Sequence, residues 1–443
     1  MSSLVDDDAT LLEDPAQCVE YMAAGGKPRE QWVIGTEHEK LGWWPDRGTY
    51  PTWDDPRGIR ALLEALAAEG GWTATREGEA IVALARGRAT VTLEPGGQLE
   101  LSGAPLPTLA ETAAELDAHF EEVRRFSAPL GITWSGLGLA PSLGPDAMPR
   151  MPKARYEIMR RYLPTRGALA SRMMHQTCTV QANLDFADEA DAFRKLRLSL
   201  WVQPFVLAAW ANSPIVEGRP VVERTFRGRI WEATDDDRWR YPARFLEPGC
   251  TFADYVEWAF GVPMFFLRRE GRAIDCAGLV FRDFVEKGHG GYRANLGDFI
   301  VHLSTLFPDA RLKRYLEVRG ADMGDRDHVL ALPAFHAGLL YDAESLDDAL
   351  ALFEGVDPAE LARCRRMVPV MGLGATLGGA TLQEYGKTLL DLARAGLARR
   401  EPGAVGLLDP VVADVAAGRC PADRVRAAFD GDVGKLLAAT RIC

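Results

Sequence analysis

Over residues 177–186 apolar and polar side chains alternate without a break. Cys178, Val180, Ala182, Leu184 and Phe186 share one parity; Thr177, Thr179, Gln181, Asn183 and Asp185 share the other. Successive side chains of a strand point to opposite faces, so the run predicts a strand with one apolar and one polar face. The pattern recurs over 91–102, where Val91, Leu93, Leu99 and Leu101 can face a core while Thr92, Glu94, Gln98 and Glu100 face the other way across a Pro95-Gly96-Gly97 turn. In the strand-like run that begins at Trp32, Glu37 and Glu39 lie two apart and project from one face if the strand continues. Such a polar face is either washed by solvent or the floor of a site. Solvent faces normally mix both charge signs, whereas these strands offer Glu without alternating Lys or Arg. Four glutamates on short, turn-linked strands suit Mg²⁺, which takes carboxylate oxygens and keeps positions free for water and phosphate.

Around these strands the chain reads as α+β. Residues 56–69 predict a helix with Asp54 or Asp55 as cap, 72–102 predict antiparallel strands with tight turns, and 109–126 a further helix. A short strand over 131–136 leads into a Gly- and Pro-rich loop to 152. Another helix ends near Tyr162, and 188–211 form the clearest long helix. From Ser345 onward Ala, Leu, Arg and Glu rise and β-branched runs thin out, which predicts a mainly helical C-terminal segment with breaks near 372–379 and 401–410. A body over 1–344 with a helical segment over 345–443 packed on it accounts for the 443 residues.

Charge narrows the partners. With 51 Lys+Arg against 63 Asp+Glu the net charge is −12, which argues against binding nucleic acid or an anionic membrane by overall field. The most apolar stretch, 200–211, contains Gln203 and Pro204 and is far shorter than the roughly 20 residues of a membrane helix. The start carries Asp6, Asp7 and Asp8 in place of the basic and apolar regions of a signal peptide, and the 7 cysteines show no CxxC, so a reducing cytoplasm is the expected location. Small-molecule substrates are the expected partners.

Cations lie in separate clusters: Lys153 and Arg155; Arg160 and Arg161; Arg224, Arg227 and Arg229; Arg311, Lys313, Arg314 and Arg319. Arg forks bind carboxylates or phosphates, although each cluster alone is more often a surface patch. No GxxxxGK[ST] and no strand followed by GxGxxG occurs. A bound nucleotide would therefore be held by metal and Arg. His38, between two glutamates, should point to the opposite face and pack there, and Cys178 falls on the apolar parity of its strand.

Together the segments GTEHEKLG (35–42), LEPGGQLELSGAPL (93–106), MPKARYEIMRRYLP (151–164), TCTVQANLDF (177–186), RGRIW (227–231), FRDF (281–284) and RLKRYLEVRGAD (311–322) resemble the plant and proteobacterial type of glutamate-cysteine ligase, in order over roughly 30–400. The resemblance implies the fold shared with glutamine synthetase, an antiparallel sheet forming a bowl with helices packed behind it. It also implies ATP-dependent ligation of the glutamate γ-carboxylate to the amine of L-cysteine, the first step of glutathione synthesis. By resemblance, Glu37, Glu39, Glu94 and Glu100 would be magnesium ligands, with Gln181 and Glu317 as further ones. Arg155, Arg227 and Trp231 would hold L-glutamate. Lys313 and Asn183 would face ATP, Arg319 would meet phosphate or transition-state charge, and Glu39 and Arg319 would be the catalytic pair.

The sequence also departs from the family. Gln176 stands where members often have Arg, Gly228-Arg229 where they have Ser-His, and Phe265-Phe266 where they have Tyr-Phe. The last change would remove a phenol hydroxyl from the acceptor pocket. The same ligase chemistry with another amine acceptor therefore stands beside the cysteine reading. Cys276 matches a position used for a regulatory disulfide in plant members, but no Cys stands near Gly291, so that switch is not expected.

Overall fold

The computed structural model describes residues 8–443; Asp6 and Asp7 of the acidic start lie outside the described residues. Among the described residues, nine strands form one antiparallel sheet. Its strands include β1 (Ile34–Trp43), β2 (Thr73–Glu77), β3 (Ala80–Arg86), β4 (Ala89–Leu93), β5 (Leu99–Ser102), β6 (Thr133–Ser135) and β7 (Val180–Leu184). A hairpin of Ala310–Leu312 and Leu316–Val318 completes it. From that hairpin the order runs β7, β1, β5, β4, β3, β2, with β6 added to the far end of β1. The α+β expectation therefore holds.

The alternation read in the sequence sets the two faces. Val180, Ala182 and Leu184 of β7, with Val91, Leu99 and Leu101, are buried behind the sheet. Helices Ile59–Glu69, Leu109–Ser127 and Arg326–Leu340 cover this side. His38 lies in that layer: its ring is 5.5 Å from His119 and 5.4 Å from Phe120, and its Nδ1 is 3.1 Å from Lys40 Nζ. Burial and the neighbouring Lys40 push the His38 imidazole well below its ordinary pKa. It is a packed core residue, as its parity predicts.

The helix expected over 56–69 begins at Ile59, after a turn that Asp55 closes by accepting the Gly58 amide at its backbone carbonyl, at 2.7 Å. Its carboxylate accepts from the Arg57 amide at 2.8 Å and from Arg47 at 2.5 Å, which leaves Gly58 as an uncapped N-terminus. The long helix is Glu189–Ala209, capped by Asp188 through the Asp191 amide. Beyond residue 345 the chain is mainly helical, broken over 352–357, 375–381, 417–420 and 429–432 and at Glu401. One of these helices, Pro358–Met371, sends Arg365 to Asp309 at 2.6 Å and to Glu232 at 3.0 Å. Among the described residues no helix is long and apolar enough to cross a membrane.

Candidate active site

The polar face is ordered by register. Glu39 stands opposite Glu100, which stands opposite Thr92. One row further, Gln181, Glu37, Ser102 and Thr90 lie side by side. The next row joins Gly35, Asn183, Glu317 and Arg311. Glu94 enters from the turn after β4, where the Glu94 amide donates to the Gln98 carbonyl at 2.9 Å. That turn needs its glycines: Gly97 has φ +87°, and a Cβ on Gly96 would lie 2.1 Å from the His175 carbonyl oxygen.

These rows floor a cavity of about 150 Å³ lined by Glu37, Glu39, Glu94, Glu100 and Gln181, with Arg155, Arg311, Lys313, Glu317 and Arg319. The rest of its lining combines an apolar wall of Met159, Phe266, Val301 and Phe307 with Tyr156, Arg268, Ser304 and Thr305. A second cavity, of about 620 Å³, shares Lys313 and Ser304 with the first and is also lined by Lys27, Arg88, Asn183, Arg314 and Tyr315.

The carboxylates are held individually. Asn183 Nδ2 donates to Glu37 at 2.7 Å, Thr92 Oγ1 to Glu100 at 2.5 Å, and the Thr179 amide to Glu39 at 3.0 Å. Burial, then the nearby Glu94 and Glu100, push Glu39 well above the usual carboxylate pKa. Burial and Glu100 push Glu94 up to about 7, against the pull of Lys153. Burial works against the Glu100 anion as well, yet hydrogen bonds, the one from Thr92 among them, take part in holding it below the usual range. Among the described residues no three His, Cys, Asp or Glu side chains close into a ready metal cage. The donor set is nonetheless all oxygen and densely anionic, with Glu39 opposite Glu100 and Glu94 lining the same cavity. Glu37, Glu39, Glu94 and Glu100 thus fit a hard divalent ion in chemistry.

Several expected residues take other places. Glu317 is enclosed by three cations, with Arg311 at 2.7 Å, Lys313 at 2.8 Å and Arg319 at 2.5 Å. Burial opposes its charge, but Arg311, Lys313 and Arg319 outweigh it and hold the Glu317 carboxyl well below the usual range. Expected as a metal ligand, Glu317 is here the centre of an ion-pair hub on the cavity lining. The Gln181 side-chain oxygen, also expected on metal, accepts from Arg319 at 2.8 Å.

Phe265 does not line the cavity. It is 1% exposed, with the Arg238 guanidinium carbon 3.4 Å above its ring centroid, and its neighbour Phe266 takes the cavity wall, since adjacent residues of an extended segment face opposite ways. Trp231 packs on Phe307 at 5.5 Å and lies behind the wall. Arg227 also stands behind the cavity wall, donating through Nη1 to the Gly320 carbonyl at 2.8 Å and through Nη2 to that of Arg319 at 3.0 Å. Its Nε has no partner. Arg155 does line the cavity, lying over the Tyr156 ring at 5.0 Å.

Sequence reasoning missed Arg268, Tyr156 and the apolar wall of Phe266, Val301 and Phe307. Only Tyr156, in the quoted 151–164 segment, and the FFLRR run carried a usable signal.

A carboxylate-floored antiparallel sheet, rimmed by guanidinium groups and backed by helices, is the frame of a ligase, and the comparisons with known proteins agree. Residues 33–439 match the family described as Glutamate-cysteine ligase family 2, and the chain belongs to that family. It is 41% identical to the chloroplastic glutamate–cysteine ligase of Brassica juncea over 435 residues, covering 97% of this chain and 84% of the relative. The chloroplastic glutamate–cysteine ligase B of Oryza sativa subsp. japonica is 42% identical over 425 residues, covering 95% of this chain and 85% of that one. In shape, the chain is similar to a crystal structure of glutamate–cysteine ligase from Francisella tularensis in complex with AMP, with TM-score 0.58 and 13% identity over 92% of this chain and 87% of that one.

Proposed function

We propose that this chain joins the γ-carboxylate of L-glutamate to the amine of L-cysteine at the expense of ATP. The observation that carries the reading is the single cavity in which four glutamates on one sheet face meet Arg155, Arg311, Lys313 and Arg319. A carboxylate is a poor acylating agent. Its oxygen first takes the γ-phosphoryl group of ATP, breaking the bond to ADP. The amine nitrogen then attacks the acyl carbon of γ-glutamyl phosphate, phosphate leaves, and the nitrogen loses a proton. Both steps gather negative charge that fixed cations must offset.

The larger cavity, with Lys27, Arg88 and Arg314 on its lining, suits the nucleotide, and the shared Lys313 stands where its phosphates would enter the smaller one. Arg155 would receive the glutamate carboxylate directly. Arg227, behind the wall, keeps a buried Nε without a partner, and its positive charge acts on Glu39, which lines the cavity; it would serve the glutamate carboxylate from there. Arg319 and Lys313 would screen charge on the transferring group. Phe266, Val301 and Phe307 would exclude water on the acceptor side. Glu37, Glu39, Glu94 and Glu100 would hold Mg²⁺, which supplies charge stabilisation for the phosphoryl oxygens.

The test is phosphate release from ATP with glutamate present and a panel of amines, with the product identified by mass. Release that requires glutamate and is fastest with cysteine supports the reading. Release without glutamate, or preference for an amine unlike cysteine, overturns it.

A further inference from the structure

We infer that Asp322 is a positioning residue that sets Arg227 for the glutamate carboxylate, an inference that rests on the proposed role of Arg227. Asp322 is 1% exposed and receives three hydrogen bonds. Its Oδ2 accepts from the Asn212 amide at 2.8 Å and from Ser213 Oγ at 2.7 Å, and its Oδ1 accepts from Thr225 Oγ1 at 3.0 Å. Arg227 Nη1 lies 3.7 Å from that same Oδ1.

Two of these partners, Ser213 and Thr225, lead to Arg227. Ser213 Oγ accepts from the Arg227 amide at 3.0 Å, so one hydroxyl joins the Asp322 carboxylate to the Arg227 backbone. Thr225 caps the helix Phe226–Glu232 by accepting from the Gly228 amide at 2.9 Å, and that helix carries both Arg227 and Trp231. Because Asp322 accepts the Thr225 proton, the Thr225 oxygen lone pairs are left for the cap. Asp322 thus fixes the start of the helix, the backbone of Arg227 and the electrostatic partner of its guanidinium at once.

The far side of Arg227 is held by the strand that leads to Asp322. Arg227 donates to the carbonyls of Arg319 and Gly320, and Thr179 Oγ1 donates to the Ala321 carbonyl at 2.7 Å with the Arg319 carbonyl 3.1 Å away. Thr179 in turn gives its amide to Glu39. The segment 319–322 is therefore a clamp between the glutamate floor and the Arg227 helix, with Asp322 as its anionic end. The close approach leaves no slack: a Cβ on Gly138 would fall 2.6 Å from the Asp322 Cβ.

The experiment is steady-state kinetics of the full chain for Asp322→Asn, which keeps the size and removes the charge, alone and in an Arg227→Lys background. We expect Asp322→Asn to raise KM for glutamate by about tenfold, the scale of a hydrogen bond to a charged group, with KM for ATP within about twofold. In the Arg227→Lys background the same change should add less than about twofold, because residues acting as a unit are not additive. Equal changes in both KM values, or losses that multiply, would overturn the inference. If Arg227→Lys alone leaves KM for glutamate unchanged, the role of Arg227 fails; if it raises KM and Asp322→Asn does not, only the Asp322 inference fails. Should Asp322→Asn not fold, Ser213→Ala cuts the same link, and the same split between KM values is required of it.

Discussion

Glu39 and Glu100 stand directly opposite each other in the pairing of β1 with β5, two carboxylates facing one cavity. Directly opposed side chains on a sheet lie about 4.5–5.5 Å apart at Cβ, and like charges there are destabilising. Removing Glu39 should therefore cost activity without costing the fold. Glu39→Gln is expected to cut turnover at least about a hundredfold, the scale of losing one main electrostatic element. Its unfolding free energy without added metal should match the parent or exceed it by about 0.5–1 kcal/mol. Kinetics at saturating magnesium and urea unfolding of both proteins check this; near-full activity would remove Glu39 from the metal set.

Glu317 behaves differently, because three cations converge on it. Taking its charge away leaves Arg311, Lys313 and Arg319 facing one another in a buried site, which costs on the order of 3–5 kcal/mol. Glu317→Gln should lower stability by that order and raise KM for ATP through a displaced Lys313. The magnesium concentration for half-maximal rate should stay within about twofold of the parent. A shifted magnesium requirement with unchanged stability would restore Glu317 as a metal ligand.

The rows of the site were legible as far as the period of a strand carries. Parity alone puts Glu37 with Glu39 and Gln181 with Asn183, and places His38 behind the sheet. Which residue of one strand meets which of the next depends on turn geometry, so the opposition of Glu39 and Glu100 could not be read from either segment. The same limit hid the hub at Glu317. Arg311 meets Glu317 because a tight hairpin brings positions six apart opposite each other, and Lys313 reaches the same carboxylate from the turn. Phe265 and Phe266 were separable only once the strand start was known, since a shift of one residue exchanges their faces.

Away from the cavity, His328 sits between two carboxylates, with Nδ1 2.8 Å from Asp325 and Nε2 3.4 Å from Asp414. Burial disfavours its charge, but Asp325 and Asp414 prevail and raise its pKa from 6.5 to about 9. The folded chain thus binds this proton more tightly than the unfolded chain. Its contribution is complete below about pH 6.5 and is lost as pH rises through about 9. Urea unfolding at pH 6, 7.5 and 9.5 should show a fall in the parent that is absent from His328→Gln, the difference between the two being on the order of 3 kcal/mol. Parallel profiles would show that the proton is not linked to folding.

Acceptor selectivity should follow Phe266 and not Phe265. Phe266 shares the apolar wall with Met159, Val301 and Phe307, whereas Phe265 is sealed beneath Arg238 and packs on Tyr162 at 5.7 Å. An apolar wall discriminates between acceptors by about 1–3 kcal/mol per methylene, so selectivity for cysteine over an amine of similar size, such as 2-aminobutyrate, should be modest. Phe266→Leu changes the shape of that wall and should shift the ratio of kcat/KM between the two amines by about threefold or more. Phe265→Leu removes packing under the guanidinium, so it should cost about 1–2 kcal/mol of stability while leaving the ratio within about twofold. Competition between the two amines at fixed ATP, glutamate and magnesium, followed by product mass, measures the ratio directly. A ratio that moves with Phe265 and not with Phe266 would place the acceptor on the other side of that strand.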